Sequence, residues 1–151
     1  TNLVDRDADG NIIGLVSDFY MVDTIVQAEL DTGRGDYPLR LLAEYLRNTK
    51  AASSQDTGIW FEAEYGGSRT LRTYTLGYTY GRVQQEASLS PFVFSDMPGT
   101  NIQLHMLNIA YIPMPNLSLD LTLHISKRLE VETGTSNNWL TRPHIAAIVR
   151  F

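Results

Sequence analysis

From Ser17 onwards, apolar and polar residues alternate with a period of two, the spacing of strands whose two faces meet different surroundings. Over Ser17–Asp31, Val22, Thr24, Val26, Ala28 and Leu30 oppose Asp23, Gln27 and Glu29. Over Tyr37–Lys50, Leu39, Leu41, Ala43 and Tyr45 oppose Arg40, Leu42 and Glu44, and over Asp56–Tyr65, Ile59, Phe61, Ala63 and Tyr65 oppose Trp60, Glu62 and Glu64. Thr70–Val83 sets Tyr74, Leu76, Tyr78 and Tyr80 against Thr73, Thr75, Gly77 and Thr79, so its second face is small and hydroxylated. In Ile102–Ile112 the phase is mixed. Leu107, Ile109 and Tyr111 follow one register and Leu104 and Met106 the other, which a bulge would reconcile. The cleanest alternation is Leu117, Leu119, Leu121, Leu123 and Ile125 against Ser118, Asp120, Thr122, His124 and Ser126. In the last stretch, Thr141–Phe151, Ile145, Ala147, Val149 and Phe151 oppose His144, Ala146, Ile148 and Arg150.

The pattern therefore predicts an all-β chain of about seven antiparallel strands in up-and-down order. Strands of about ten residues exceed the usual five or six and match the length that crosses a bilayer at the usual tilt. The connections carry a second signal. Thr32–Asp36, Gly66–Arg69 and Pro113–Asn116 are tight and rich in Gly, Pro or Asn. Ala51–Gln55, Gln84–Gly99 and Glu130–Asn138 alternate with them and include the longest. Outer-membrane barrels keep their periplasmic turns short and let their outer loops grow, so a periplasmic Phe151 puts the tight turns inside and the long ones outside. Aromatic residues fall at strand ends in the apolar phase: Tyr65, Tyr111 and Phe151 at one level, and Tyr45, Tyr80 and Trp139 at the other. This is the arrangement expected of two aromatic girdles.

Composition changes this picture little. The mean hydropathy of −0.16 is what a wall with every second residue apolar gives. No run of apolar residues is long enough for a membrane-spanning helix. There is no cysteine, hence no disulfide framework and no thiolate metal site. A net charge of −5 with scattered basic residues argues against nucleic acid as a partner. The chain begins at Thr1 without an initiator Met, which suits either a removed leader or a piece of a longer protein.

Residues Thr1–Val16 read as an outer loop before a barrel portion spanning residues 17–151. Within that loop Asp5, Asp7 and Asp9, followed by Gly10, have the spacing that opens a calcium loop. Val16 stands where the bidentate Glu belongs, and an acidic surface loop is the plainer expectation. Apart from this calcium candidate no cofactor is expected. No catalytic constellation stands out: His105, His124 and His144 lie on separate strands, and Glu62 and Glu64 lack a third group, so the chain is not read as an enzyme. With the apolar faces toward lipid, Asp23, Glu29, Arg40, Glu44, Glu62, Glu64, Asp120, His124, Arg142 and Arg150 are the candidate pore-lining residues.

The segments PLRLLAEYLRNT, DTGIWFEAEYG, RTYTLGYTYGRV and LNIAYIPMPNLSLDLTLHISKRLE, with the terminal IVRF, resemble the C-terminal part of bacterial putative porins. These are outer-membrane β-barrels with a water-filled lumen. The resemblance covers Ser17 to Phe151 and implies the C-terminal portion of a larger barrel, since such barrels take an even number of strands. It further implies a location in the bacterial outer membrane and passive diffusion of small hydrophilic solutes. The partners implied are outer-membrane lipid and lipopolysaccharide, and the barrel-assembly machinery engaging the last strand. A second copy of the chain is also counted as a candidate partner. Two alternatives stay open: a soluble calyx-type barrel with its apolar faces turned inward around a lipophilic ligand, and an outer-membrane anchor that does not conduct.

Overall fold

The computed structural model describes residues 2–67, 71–90, 97, 99–131 and 133–150. The fold is all-β, with every strand antiparallel to its neighbour. A small hairpin of β1 (Val4–Arg6) and β2 (Ile12–Leu15) precedes a seven-stranded sheet. The sheet comprises β3 (Met21–Leu30), β4 (Leu39–Asn48), β5 (Thr57–Gly66), β6 (Tyr74–Val83), β7 (Ile102–Met114), β8 (Leu117–Arg128) and β9 (Leu140–Val149). Its strand order is the chain order, and β3 and β9 are its open edges.

Pairing runs residue for residue from β3 to β9, with one irregularity between Tyr111 and Met114 at the β7–β8 turn. Residues paired across an antiparallel ladder point to the same side. The phase of each strand is therefore handed to the next. One row reads Ala28, Leu41, Ala63, Tyr78, Leu107, Leu123 and Pro143. The adjacent row, on the other face, reads Glu29, Arg40, Glu64, Gly77, Asn108, Thr122 and His144. The sheet thus has one apolar face and one polar face over its whole width.

Burial is inverted with respect to a protein that folds around an oily centre. Leu107 and Ile109 on the apolar face are 47% exposed and Ile145 is 79% exposed, whereas Thr75 and His124 on the polar face are 2% and 6% exposed. The buried apolar cluster is also on the polar side. It comprises Trp60, Val83, Ala87, Met97, Ile102 and Leu104, with Leu42 packed against it.

That cluster exists because the connection between β6 and β7 does not project freely. Gln84–Gly99, expected as an outer loop without structure of its own, returns across the polar face in its described residues and buries Ala87 and Met97 there. This explains the mixed phase of β7. No bulge interrupts Ile102–Tyr111; Leu104 and Met106 belong to the polar face, and Leu104 is apolar because it packs in the cluster with Met97 and Ala87. At Gly81 the β6 backbone leaves room for the Trp60 ring, since a Cβ built there would lie 2.6 Å from Trp60 Cζ3.

The N-terminal segment is a further departure from the expected loop. Val4–Arg6 pairs with Ile12–Leu15 around a tip in which Gly10 takes φ +86°. The strands are three and four residues long with an irregularity between Asp5 and Arg6, too short and uneven to register as alternation.

Replacing Gly81 with Val forces the Trp60 ring out of its place in the cluster. The expected cost is about 1–3 kcal/mol of stability, read as a lower denaturant midpoint at unchanged slope.

Candidate functional site on the polar face

All carboxylates in the strands of the large sheet lie on its polar face: Asp23, Glu29, Glu44, Glu62, Glu64 and Asp120. In water such charges need no partner, but on a crowded sheet face they need cations or hydrogen-bond donors. Arg40 supplies one guanidinium to two of them, donating from Nε to Glu29 Oε2 at 2.9 Å and from Nη1 to Glu64 Oε1 at 2.7 Å. The three residues are directly opposite one another on β3, β4 and β5. Their side chains are a third or more exposed, so each pair contributes a few tenths of a kcal/mol. The consequence is chiefly electrostatic, because the only strand cation beside these carboxylates on β3–β5 is engaged twice.

Two rows away, Glu44 and Glu62 share a cavity of about 310 Å³ with Leu42, Trp60, Val83 and Met97, under the returning segment. Trp60 Nε1 donates to Glu62 Oε1 at 2.6 Å. No described hydrogen bond or ion pair reaches Glu44.

The other side of the polar face has a different character. On β7 and β8, Asn108 Nδ2 donates to Thr122 Oγ1 at 2.9 Å and Ser118 Oγ donates to Asp120 Oδ2 at 2.6 Å. His124 is buried opposite Arg142, and His144 stands opposite Thr122. Arg150 follows β9, its backbone N–H donating to Asn116 O at 2.9 Å, and its side chain lines a cavity of about 420 Å³ with Ser118 and Ile148. The candidate pore-lining residues thus share one face but divide in charge. Acids gather on β3–β5 and the basic residues Arg142, His144 and Arg150 on and just beyond β9.

Residues that hold the returning segment in place were not legible as functional. Asn48, 1% exposed, makes four bonds: its Oδ1 accepts from Tyr20 N (3.0 Å) and Lys50 N (3.1 Å), and its Nδ2 donates to Asp18 O and Glu86 O (2.9 Å each). Gln84 Oε1 accepts from Thr57 N at 2.9 Å and Thr57 Oγ1 at 2.6 Å. From the N-terminus, Asn2 Nδ2 donates to Gln85 O and Ser88 O, Asn2 Oδ1 accepts from Ser90 N, and Leu3 N donates to the buried Glu86 at Oε1, 2.7 Å. At the far end of the segment Asn101 Nδ2 donates to Glu130 O and Asn101 Oδ1 accepts from Glu130 N, both at 2.8 Å. Its trace in the sequence is a set of large apolar residues in the polar phase, Leu42, Trp60 and Leu104.

On the apolar face the expected aromatic residues fall into two groups at opposite strand ends. Tyr65 lies 5.7 Å from Tyr37, whose ring is 5.0 Å from that of Tyr74, itself opposite Tyr111. At the other end Tyr80 lies 5.2 Å from His105, and His105 lies 5.5 Å from Trp139. Tyr78 Oη is 2.9 Å from His105 Nδ1, and Tyr45 is opposite Ile59. Tyr37, Tyr74, Tyr78 and His105 extend the expected sets. Phe151 lies outside the described residues.

The acidic run at the N-terminus is a hairpin tip. Asp7 Oδ1 accepts from Asp9 N and Asn11 N, and Oδ2 accepts from the Asn11 amide. These bonds, the Asn11 side chain first, hold the Asp7 carboxyl below its ordinary range. Its contribution to the hairpin is therefore present above the usual carboxyl pKa and is lost as pH falls through the lowered value. Asp5, Asp7 and Asp9 do not converge, and among the described residues no group of three or more His, Asp or Glu is placed to hold a metal ion. Comparison with protein-family models, curated proteins and solved structures finds no match.

Replacing Asn48 with Ala leaves two backbone N–H groups and two carbonyls short of a partner. It should cost about 2–4 kcal/mol, and hydrogen exchange should show Tyr20 N and Lys50 N losing protection before the β7–β8 ladder does.

Proposed function

We propose that these strands form part of the wall of a bacterial outer-membrane barrel of the putative-porin kind, through which small hydrophilic solutes diffuse passively. The observation that carries this reading is the inverted sheet: a wide apolar face left exposed, banded by aromatic rings at both ends, behind a polar face whose central strands are covered by the segment between β6 and β7. Each Leu or Ile left in water forgoes roughly 1.5–3 kcal/mol of burial, whereas lipid removes that cost. Ten-residue strands rise about 33 Å, enough to cross the hydrocarbon when tilted. A calyx, by contrast, would turn the apolar face inward.

Strands β3 and β9 run in the same direction, because five alternating strands separate them. Closure through antiparallel ladders alone takes an odd number of further strands between them. The returning segment between β6 and β7 narrows the space on the polar side, and the division of charge across that face sets a field across it. Selection is then by size and local charge rather than by one tight site. The same segment supports a second reading, an anchor barrel whose interior is filled. The long connections face outward and the tight turns face the periplasm in both.

Planar-bilayer recording on the full-length protein separates these readings. Discrete conductance steps are expected, and Arg40→Gln should move the reversal potential in a salt gradient toward cation preference, since Glu29 and Glu64 lose their shared guanidinium. Insertion without steps establishes the filled anchor. A chain that stays monodisperse without detergent belongs to the calyx class and ends the membrane reading.

A further inference from the structure

The apolar face carries no carboxylate in any strand of the large sheet, yet it does carry cations, and these are confined to one end. They are Arg47, Arg82 and Lys127, near the last residue of β4, β6 and β8, the end where the long connections lie. Arg47 is already paired, Nε to Asp56 Oδ2 at 3.1 Å. Arg82 and Lys127 are not: among the described residues neither makes an ion pair. They stand opposite the two sides of Gln103, on consecutive strands β6, β7 and β8. Two strand spacings put their backbones roughly 10 Å apart, a gap within the span of two long side chains. Gln103 stands between them, its amide nitrogen 3.4 Å from His105 Nε2. Below this row lies the aromatic group of Tyr80, His105 and Trp139, with Lys127 Nζ 4.7 Å above the Trp139 ring.

We propose that Arg82, Gln103 and Lys127 form a docking site for the phosphate-bearing headgroup of an outer-leaflet lipid of the lipopolysaccharide type. The site rests on the membrane reading above and adds to it a named headgroup position. The chemistry points to a lipid rather than a soluble anion because the cations belong to the face that exposes Leu107, Ile109 and Leu121. A ligand held by Arg82 and Lys127 therefore has its remaining bulk over apolar side chains and rings. Charge complementarity is one-sided: at this rim the strands contribute cations to the face and no carboxylate, Asp56 before β5 being taken up by Arg47, and the opposite rim ends in Leu30, Leu39, Tyr65, Tyr74 and Tyr111 without a charge. An acyl-bearing phosphate satisfies both halves, with the charge in the headgroup layer and chains along the strands.

The test is native mass spectrometry of the full-length protein released from micelles doped with equal amounts of phosphatidylcholine and lipid A. Wild type is compared with Arg82→Gln/Lys127→Gln and with Arg47→Gln as control. Insertion into pure phosphatidylcholine vesicles is measured first, because failure there overturns the membrane reading and not merely the site. Given insertion, wild type should retain lipid A over phosphatidylcholine about tenfold or more, at roughly 1 kcal/mol per cation. The double variant should insert equally well but lose most of that preference, and Arg47→Gln should keep it. Equal retention of lipid A by the double variant, or no preference in wild type, overturns the proposal.

Discussion

Unbroken backbone pairing from β3 to β9 is the constraint on which the rest depends. With a side-chain period of two, a slip of one residue in any ladder would send a whole strand's leucines to the polar face and its charges to the apolar one. Because the pairing has no slip between Met21 and Tyr111, two chemically opposite surfaces run across the full sheet. Arg40 meets Glu29 and Glu64 only because three strands hold that register. The same continuity stacks Tyr78 beside Leu107 and Leu123 on the reverse side.

Three of the breaks in the alternation lie under cover. Trp60, Leu42 and Leu104 are large apolar residues in the polar phase, and each meets the segment returning between β6 and β7. The side chains of Asn2, Asn48, Gln84 and Asn101 tie the ends of that segment to the hairpin, to β4, to β5 and to Glu130. Each satisfies backbone groups that would otherwise be buried without partners. The polar face is thus divided into an acidic side on β3–β5, a basic side at β9, and an apolar floor under the segment. Its electrical and steric character comes from few residues.

The strands, their order and the face to which each candidate residue belongs were legible in the sequence because period-two alternation is a local signal that antiparallel pairing carries across the sheet. Glu44 and His124 belong to one surface by alternation alone. The path of the β6–β7 connection was not legible, since it depends on long-range bonds such as Asn48 to Glu86, which leave no periodic mark. Leu104 did register it, as an apparent phase error that a bulge would also have produced. The β1–β2 hairpin escaped for the opposite reason: its strands are too short for alternation to rise above chance, and the Asp7 tip uses residues equally suited to a calcium loop. The Arg82–Lys127 pair also gave no signal, as its residues are far apart in sequence and meet only through Gln103.

The central claim is that the apolar face meets lipid and the polar face meets water. The absence of cysteine allows a direct measurement: single cysteines at positions 107, 109, 121, 108, 122 and 79, each spin-labelled in the vesicle-reconstituted full-length protein. Collision with oxygen, which concentrates in the hydrocarbon, is compared with collision with a water-soluble nickel chelate. Labels at Leu107, Ile109 and Leu121 should be oxygen-accessible and shielded from nickel, and labels at Thr79, Asn108 and Thr122 should reverse the pattern. Nickel access at Leu107, Ile109 and Leu121 equal to that at Asn108 and Thr122 would contradict the membrane reading.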